Sequence, residues 1–288
     1  EQPNALLILE LSQALLGGLM VLGVYRLGSW VSPARPAVAW WAAIVAASHP
    51  TLVYAATHVQ VALLGATLVV WTLVWAIHAG ASGRLRDAVL TGLSLSLCAL
   101  TDPILSLVGL GALAAIAIAR TGANRGPSWR SAAVVVATAG LGITPWVIRN
   151  AFVHGEFVPI KSTFGYAFWQ GNCSISEGTD KVVRPSVENV MNEARESGDL
   201  ISYNRAIWKA RHTAGYIDDI AMTKEYRQWL GTLPEPESSR VLLRRAFDDI
   251  GRDPARYVGL CLKRFRAFWL FDETNPRSRV LVYRASHL

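Results

Sequence analysis

The stretch TPWVIRNAFVHGEFVPIKSTFGYAFWQGN, residues 144–172, divides the chain into two regimes. Glu1, Glu10, Asp87 and Asp102 are the four acids before residue 149, and the other seventeen follow it. Seven Arg precede residue 149, and the remaining 21 Lys and Arg come after. The first part is Leu, Ala, Val, Gly and Trp in long runs. A water-soluble domain does not keep charge out of half its length, whereas a set of membrane helices does. The second part has the composition of an aqueous or interfacial domain.

Working outward from the boundary, the apolar runs predict about six spans. Residues 5–25 form one. Residues 37–78 are about twice as long and are broken by His49, Pro50, Thr57, His58 and Gln60, which predicts two spans with a tight turn around 51–58. Residues 87–119 repeat this pattern with a break at Thr101-Asp102-Pro103, where Pro103 ends one helix or opens the next. Each half of that pair is short, so it also reads as a broken or tilted hairpin. Residues 131–148 give the last span, ending near Pro145-Trp146.

Arginine orients these spans. Loops 26–36, 79–86 and 120–130 carry Arg26, Arg35, Arg84, Arg86, Arg120, Arg125 and Arg130, and the intervening turns carry no Lys or Arg. Positive charge collects on the cytoplasmic side. Six spans then put everything beyond residue 149 outside, periplasmic or extracellular, in a multi-pass protein of the plasma (inner) membrane.

The formal charge of +7 comes with no nucleic-acid recognition motif, and its basic residues interleave with acids. Membrane lipid, anionic or phosphorylated, is therefore the expected partner, and nucleic acid is not. Cys98, Cys173 and Cys261 include no CxxC and no disulfide framework. Cys98 and Cys261 fall in apolar helical patterns, and Cys173 reads as reactive or simply exposed. Asn172-Cys173-Ser174 has the form of a glycosylation sequon. His49, His58 and His154 share no spacing with a carboxylate or Cys, so no metal site is expected.

In the second half, residues 149–180 read as loop with one or two short strands. Helices are expected over 186–197, 203–214, 218–230 and 238–250, with a turn at Pro234 and Pro236. The segment from Pro254 to Phe271 is a further helix. Its Tyr257, Leu260, Cys261, Arg264, Phe265, Phe268 and Trp269 recur at helical spacing, with Arg256, Lys263, Arg264 and Arg266 giving a basic side. Aromatic residues beside Lys and Arg suit the headgroup layer, so Arg256, Lys263, Arg264 and Trp269 are expected at the interface. An ordinary packed helix is the alternative.

The boundary stretch also resembles polytopic glycosyltransferases of the GT-C type. The nearest likeness is to bacterial members of the dolichyl-phosphate-mannose-protein mannosyltransferase superfamily, which includes the lipid A aminoarabinose transferases. Their pattern P-W-x-x-R-N, then F-G-x-F-x-P-I, then W-x-G-N matches Pro145, Trp146, Arg149 and Asn150, then Gly155, Phe157, Pro159 and Ile160, then Trp169, Gly171 and Asn172. His154 stands where Phe is usual. LLRRAFDDIGRDPARYVGLCLKRFRAFW is similar to the family's late extracytoplasmic helix pair, through Ala246, Ile250, Pro254, Lys263, Arg264 and Trp269.

The resemblance implies an all-α polytopic membrane fold with a GT-C-like core over 1–149 and a mainly helical extracytoplasmic domain over 150–288. It implies transfer of a sugar from a polyprenyl-phosphate donor to a protein, lipid or glycan hydroxyl, with a carboxylate as general base and a cation on the departing phosphate. On that basis Arg149 and Lys161 are candidates for the donor phosphate. Asn150, Trp169, Gln170 and Asn172 are candidates for the substrate pocket. Arg149 as a headgroup or carbonyl anchor, and Tyr166, Phe168 and Trp169 as a plug on the membrane face, are the plainer readings.

Three features depart from the family. Its catalytic acid follows the first span, and no residue here matches it, so the sequence reads as joining the pattern at a later helix and stopping before the later spans. The catalytic residue is thus unassigned. Gln60 replaces a common Glu, and Asp102 replaces the Arg of Thr-Arg-Pro. His58, Gln60 and Asp102 are left as polar groups of the membrane region, Gln60 as an interhelical hydrogen bonder and Asp102 as a helix-start residue. No cofactor is expected, and a divalent cation is left open. The competing readings are a noncatalytic membrane subunit that holds other subunits or lipid, and a transporter.

Overall fold

The structure, a computed structural model, describes residues 3–58, 60–119, 128–178 and 217–270. Every regular element among them is helical. The chain forms two units, residues 1–160 and 161–288.

The first unit contains α1 (Pro3–Val31), α2 (Pro36–Ser48), α3 (Pro50–Ala56), α4 (Val61–Ser82), α5 (Leu85–Thr101), a 3-10 turn (Pro103–Leu107), α6 (Val108–Ile118) and α7 (Ser128–His154). Among the described residues three helices, against about six expected spans, are long and apolar enough to cross a membrane: Leu7–Val31, Val61–Ser82 and Trp129–His154. The pair α2 and α3, bent by 60°, makes a fourth if it is one span. The expected tight turn at 51–58 is thus mostly helix. Pro50 pre-sets the first turn of α3, and the bend falls at His49, the extended residue before it. The 87–119 region divides at Asp102 into α5, about 25 Å long at 1.5 Å per residue, and the 3-10 turn continuing into α6.

Side-chain contacts give the helix directions. Gln13 Nε2, Thr67 Oγ1 and Trp71 Nε1 donate to the carbonyls of Gln60, Leu16 and Leu19, so α1 and α4 run parallel. Ser82 meets Asp87 and Thr72 meets Ser94, which makes α4 and α5 an antiparallel hairpin. Gly28 faces Ala39, Gly80 faces Ile116, and Gly92 and Gly142 seat Val135 and Ser96 against bare backbone. Such small-residue contacts let backbones approach where no hydrophobic effect drives association. By this order the C-terminal ends of α1, α4 and α6 share one end of the unit with the N-terminal ends of α2, α5 and α7. Arg26, Arg35, Arg84, Arg86 and Arg130 all fall at that end. Arg120 and Arg125 lie outside the described residues.

Apolar side chains cover the outside of this unit. Leu7, Ile8, Leu11, Leu15, Leu22, Trp40, Trp41, Leu141 and Phe152 are all exposed. A surface of that kind belongs in hydrocarbon.

α7 does not stop near Pro145-Trp146 but runs through Pro145 to His154. A proline removes one backbone donor, but an unwound end inside a bilayer would leave several groups unpaired, so the helix continues. Thr144 Oγ1 bonds the Gly140 carbonyl one turn back. The strands expected over 149–180 are absent among the described residues, replaced by the end of α7 and by α8 (Phe164–Asn172). The Gly- and aromatic-rich stretch is helical because tertiary packing overrides its β-propensity. Trp169 and Asn172 fall on its buried face.

The second unit holds α8, α9 (Ile217–Ala221), α10 (Lys224–Thr232), α11 (Glu235–Arg252) and α12 (Pro254–Trp269). The helix expected over 218–230 divides at Thr223, whose hydroxyl caps α10 by accepting from Tyr226 N. Pro236 sits in the first turn of α11 rather than in a turn of its own. The helices expected at 186–197 and 203–214 lie outside the described residues. Trp169, Cys173, Ile217, Met222, Leu230, Leu242 and Ala246 form the core. α8 crosses α11 at Gly165, where an added Cβ would strike the Ser239 carbonyl.

Candidate functional site

Candidate residues occur in each of the two units, and each set is described by itself. In the first, the last turns of α7 and the returning chain are tied together. Trp146 Nε1 donates to the Ile160 carbonyl at 3.1 Å. Asn150 Nδ2 donates to the same carbonyl at 3.1 Å and to Val158 O at 3.3 Å. Gly155, with φ of 69°, takes the left-handed conformation that turns the chain back after α7. Asn150 is buried, and its bonds reach beyond the helix end to the incoming segment.

Arg149 points the other way. Its guanidinium lies 4.9 Å from the centre of the Trp146 ring and donates to Asn150 Oδ1 at 3.1 Å. It is exposed, at the end of α7 remote from Arg130. The C-terminal end of a helix favours a cation, and a planar guanidinium held on an aromatic face keeps its outer edge free to fork onto an oxyanion.

Lys161 is exposed at the start of the second unit. Of the other predicted pocket residues in this unit, Trp169 and Asn172 are buried and Gln170 is half-buried. Trp169 is fully buried, with Arg245 stacked 5.8 Å from its ring, and its Nε1 has no hydrogen-bond partner among the described residues. Gln170 Nε2 bonds Tyr166 Oη and Asp218, each at 2.9 Å. Asn172 is buried, donating to Phe168 O and accepting from Arg264. Its amide is therefore committed, and the acceptor Asn of the sequon is buried although Ser174 is exposed.

The basic residues of α12 divide in a way that the sequence did not reveal. Arg256 turns inward to the carbonyls of Asn172, Cys173 and Ser176. Arg264 does the same to Gly171, to Gly178 at 2.9 Å and to Asn172 Oδ1 at 2.9 Å. These two cations were expected at the headgroups. They instead close the turn after α8, because its carbonyls have no helical partner. Lys263 is half exposed and lies 3.8 Å from Glu177. Trp269 is exposed.

Cys173 is buried rather than exposed. Burial pushes its thiol upward and Asp249 adds to this, against lowering by the Ile175 and Ser176 backbone and by Arg256. Beside it, Ser174, Arg245, Asp248, Asp249, Arg252, Asp253 and Arg256 line a cleft of about 380 Å³. Asp249 accepts from Ser174 N and Arg252, and Asp253 caps α12 through Arg256 N. Sequence reading passed over this cleft. Its signal was the alternation of acid and Arg in DDIGRDPAR.

In the membrane region, His58 stacks on Tyr54 at 3.9 Å and bonds its carbonyl. Gln60 starts α4, and its backbone oxygen accepts from Gln13. Asp102 accepts from Ile104 N and opens the 3-10 turn. Among the described residues no three His, Cys, Asp or Glu gather as a metal ion would require.

No family model matches the chain, and no curated protein or solved structure matches it significantly. Fold and composition define the class: an all-helical, multi-pass membrane protein carrying a helical extramembrane region.

Proposed function

We propose that the chain is the core of a glycosyltransferase that moves a sugar from a polyprenyl-phosphate donor to a protein, lipid or glycan hydroxyl on the extracytoplasmic side of the plasma (inner) membrane. One observation carries this reading. The two motif blocks of the resemblance, Pro145–Asn150 and Phe157–Ile160, hold each other through the Ile160 carbonyl and leave the Arg149 guanidinium outside. α7 spans about 40 Å at 1.5 Å per residue against a hydrocarbon core of about 30 Å. Its last turns therefore reach the headgroup layer, where the phosphate of a prenyl-anchored donor lies. There Arg149 would neutralise the charge that grows on the leaving phosphate as the acceptor oxygen attacks the anomeric carbon. Lys161 is the second proposed phosphate contact, and Asn150 is a positioning residue.

The test is transfer of radiolabelled sugar from polyprenyl-phosphate donors by membranes containing the protein. Arg149→Ala should lower turnover at least about tenfold, the scale of one lost charge-assisted contact to a transition state. Unchanged transfer in both Arg149→Ala and Lys161→Ala would remove the phosphate contacts. A noncatalytic membrane subunit on the same scaffold is the second reading. It is favoured by Asp102, whose carboxylate caps a helical turn where the family's pattern has a cation. Absence of transfer in the wild type, with binding of the lipid donor retained, would select it.

A further inference from the structure

α12 has two opposite faces. Arg256, Leu260 and Arg264, spaced by four, form the packed side. Val258, Leu262, Phe265 and Trp269 follow the same helical period on the far side and are 56–66 % exposed, and Phe268 beside them is 80 % exposed. Phe268 and Phe265 both pack edgewise on Trp269. Among the described residues the packed side anchors the helix, and the aromatic stripe stays exposed.

We propose that this stripe is a membrane-binding face that seats in the headgroup layer of a lipid bilayer. Three observations select lipid as the occupant. The unit begins at Lys161, seven residues after α7 ends, a tether of at most about 25 Å, so its starting point stays near the membrane surface. The stripe is Phe- and Trp-rich, the composition that partitions to the interface. It is bordered by exposed Arg266, a cation that suits lipid phosphates, whereas Lys263 lies toward the packed side beside Glu177. This refines the interfacial reading of the helix: Arg256 and Arg264 serve the fold, and Leu262, Phe265, Phe268 and Trp269 serve the membrane. The inference does not depend on glycosyl transfer.

The experiment uses the full chain in a Cys261→Ala background, spin-labelled at Leu262→Cys or Phe268→Cys, in vesicles of phosphatidylcholine with a minority of phosphatidylglycerol. Arg252→Cys is the aqueous control, since the Arg252 side chain is 79 % exposed at the end of α11. Native circular dichroism and a single size-exclusion peak qualify each variant, and the two stripe positions guard against one failing to fold. Labels at 262 and 268 should favour collision with oxygen over a water-soluble nickel chelate, by about fivefold relative to 252, as expected for insertion of 5–10 Å. Nickel accessibility equal to that at 252 overturns the proposal. Shielding from both reagents overturns it too, since another part of the chain then covers the stripe. Dipolar broadening that disappears on dilution with unlabelled protein also overturns it, in favour of a second copy.

Discussion

Asn150 clamps Ile160. Its side-chain amide donates to the Ile160 carbonyl at 3.1 Å from a site only 2 % exposed, and Trp146 donates to the same oxygen from one turn earlier. A carbonyl has two lone pairs and here both are used. The arrangement holds the residues after α7 against its last turns.

Removing one donor should therefore be costly and removing both more than additive. Asn150→Ala leaves the Val158 carbonyl without this donor, and we expect a loss of about 1–3 kcal/mol. Trp146→Phe should cost less, because Asn150 still serves Ile160. Thermal unfolding in detergent of both singles and the double gives the coupling. Strict additivity would mean the two donors do not share a load.

Gly165 is expected to be intolerant in the second unit. Gly165→Ala should destabilise by about 1–3 kcal/mol, since overpacking shifts backbone and the Ser239 carbonyl lies where the Cβ would go. Gly231→Ala, with nothing within 4 Å of its Cβ position, serves as the control and should be neutral or better. The readout is the difference between the two melting temperatures.

Arg264 separates charge from geometry. Arg264→Lys keeps the cation but cannot fork onto the carbonyls of Gly171 and Gly178 and the Asn172 amide oxygen together. Both Arg264→Lys and Arg264→Ala should lose about 2 kcal/mol by the scale of charged hydrogen bonds. Limited proteolysis across 171–178 should accelerate in each. Full rescue by Lys would show that charge alone matters.

Thiol chemistry follows from burial. Iodoacetamide should modify Cys261 first and leave Cys173 protected until the second unit opens. The Cys173 thiol is raised from its ordinary 9.0. A raised value means that the folded state holds the proton more tightly. This contribution to stability is complete below about pH 9, the unfolded value, and declines as pH rises toward the folded value. Cys173→Ser should flatten that alkaline decline in a chemical-denaturation series. Fast labelling of Cys173 at neutral pH would contradict its burial.

Sequence alone determined the division of the chain and the apolar segments of the first part. Exclusion of charge over long runs has only one common physical cause, a low-dielectric surrounding. It also determined α12, because Asp253-Pro254 followed by 3.6-residue periodicity is a local signal. The helical state of 164–172 was not legible. Phe, Tyr and Trp favour strands and Gly disfavours helix on local grounds, and only the seat of Gly165 and Trp169 against α11 decides for helix. Nor could sequence say which arginine faces which way. Arg149, Arg256 and Arg264 look alike in a list. Tertiary structure turns Arg256 and Arg264 onto carbonyls near residue 172, while Arg149 stacks on Trp146 within its own helix and stays exposed. For Arg256 and Arg264 the direction is set by acceptors that the fold brings within reach from residues 80–93 positions away, whereas Arg149 is held by its helix neighbours Trp146 and Asn150.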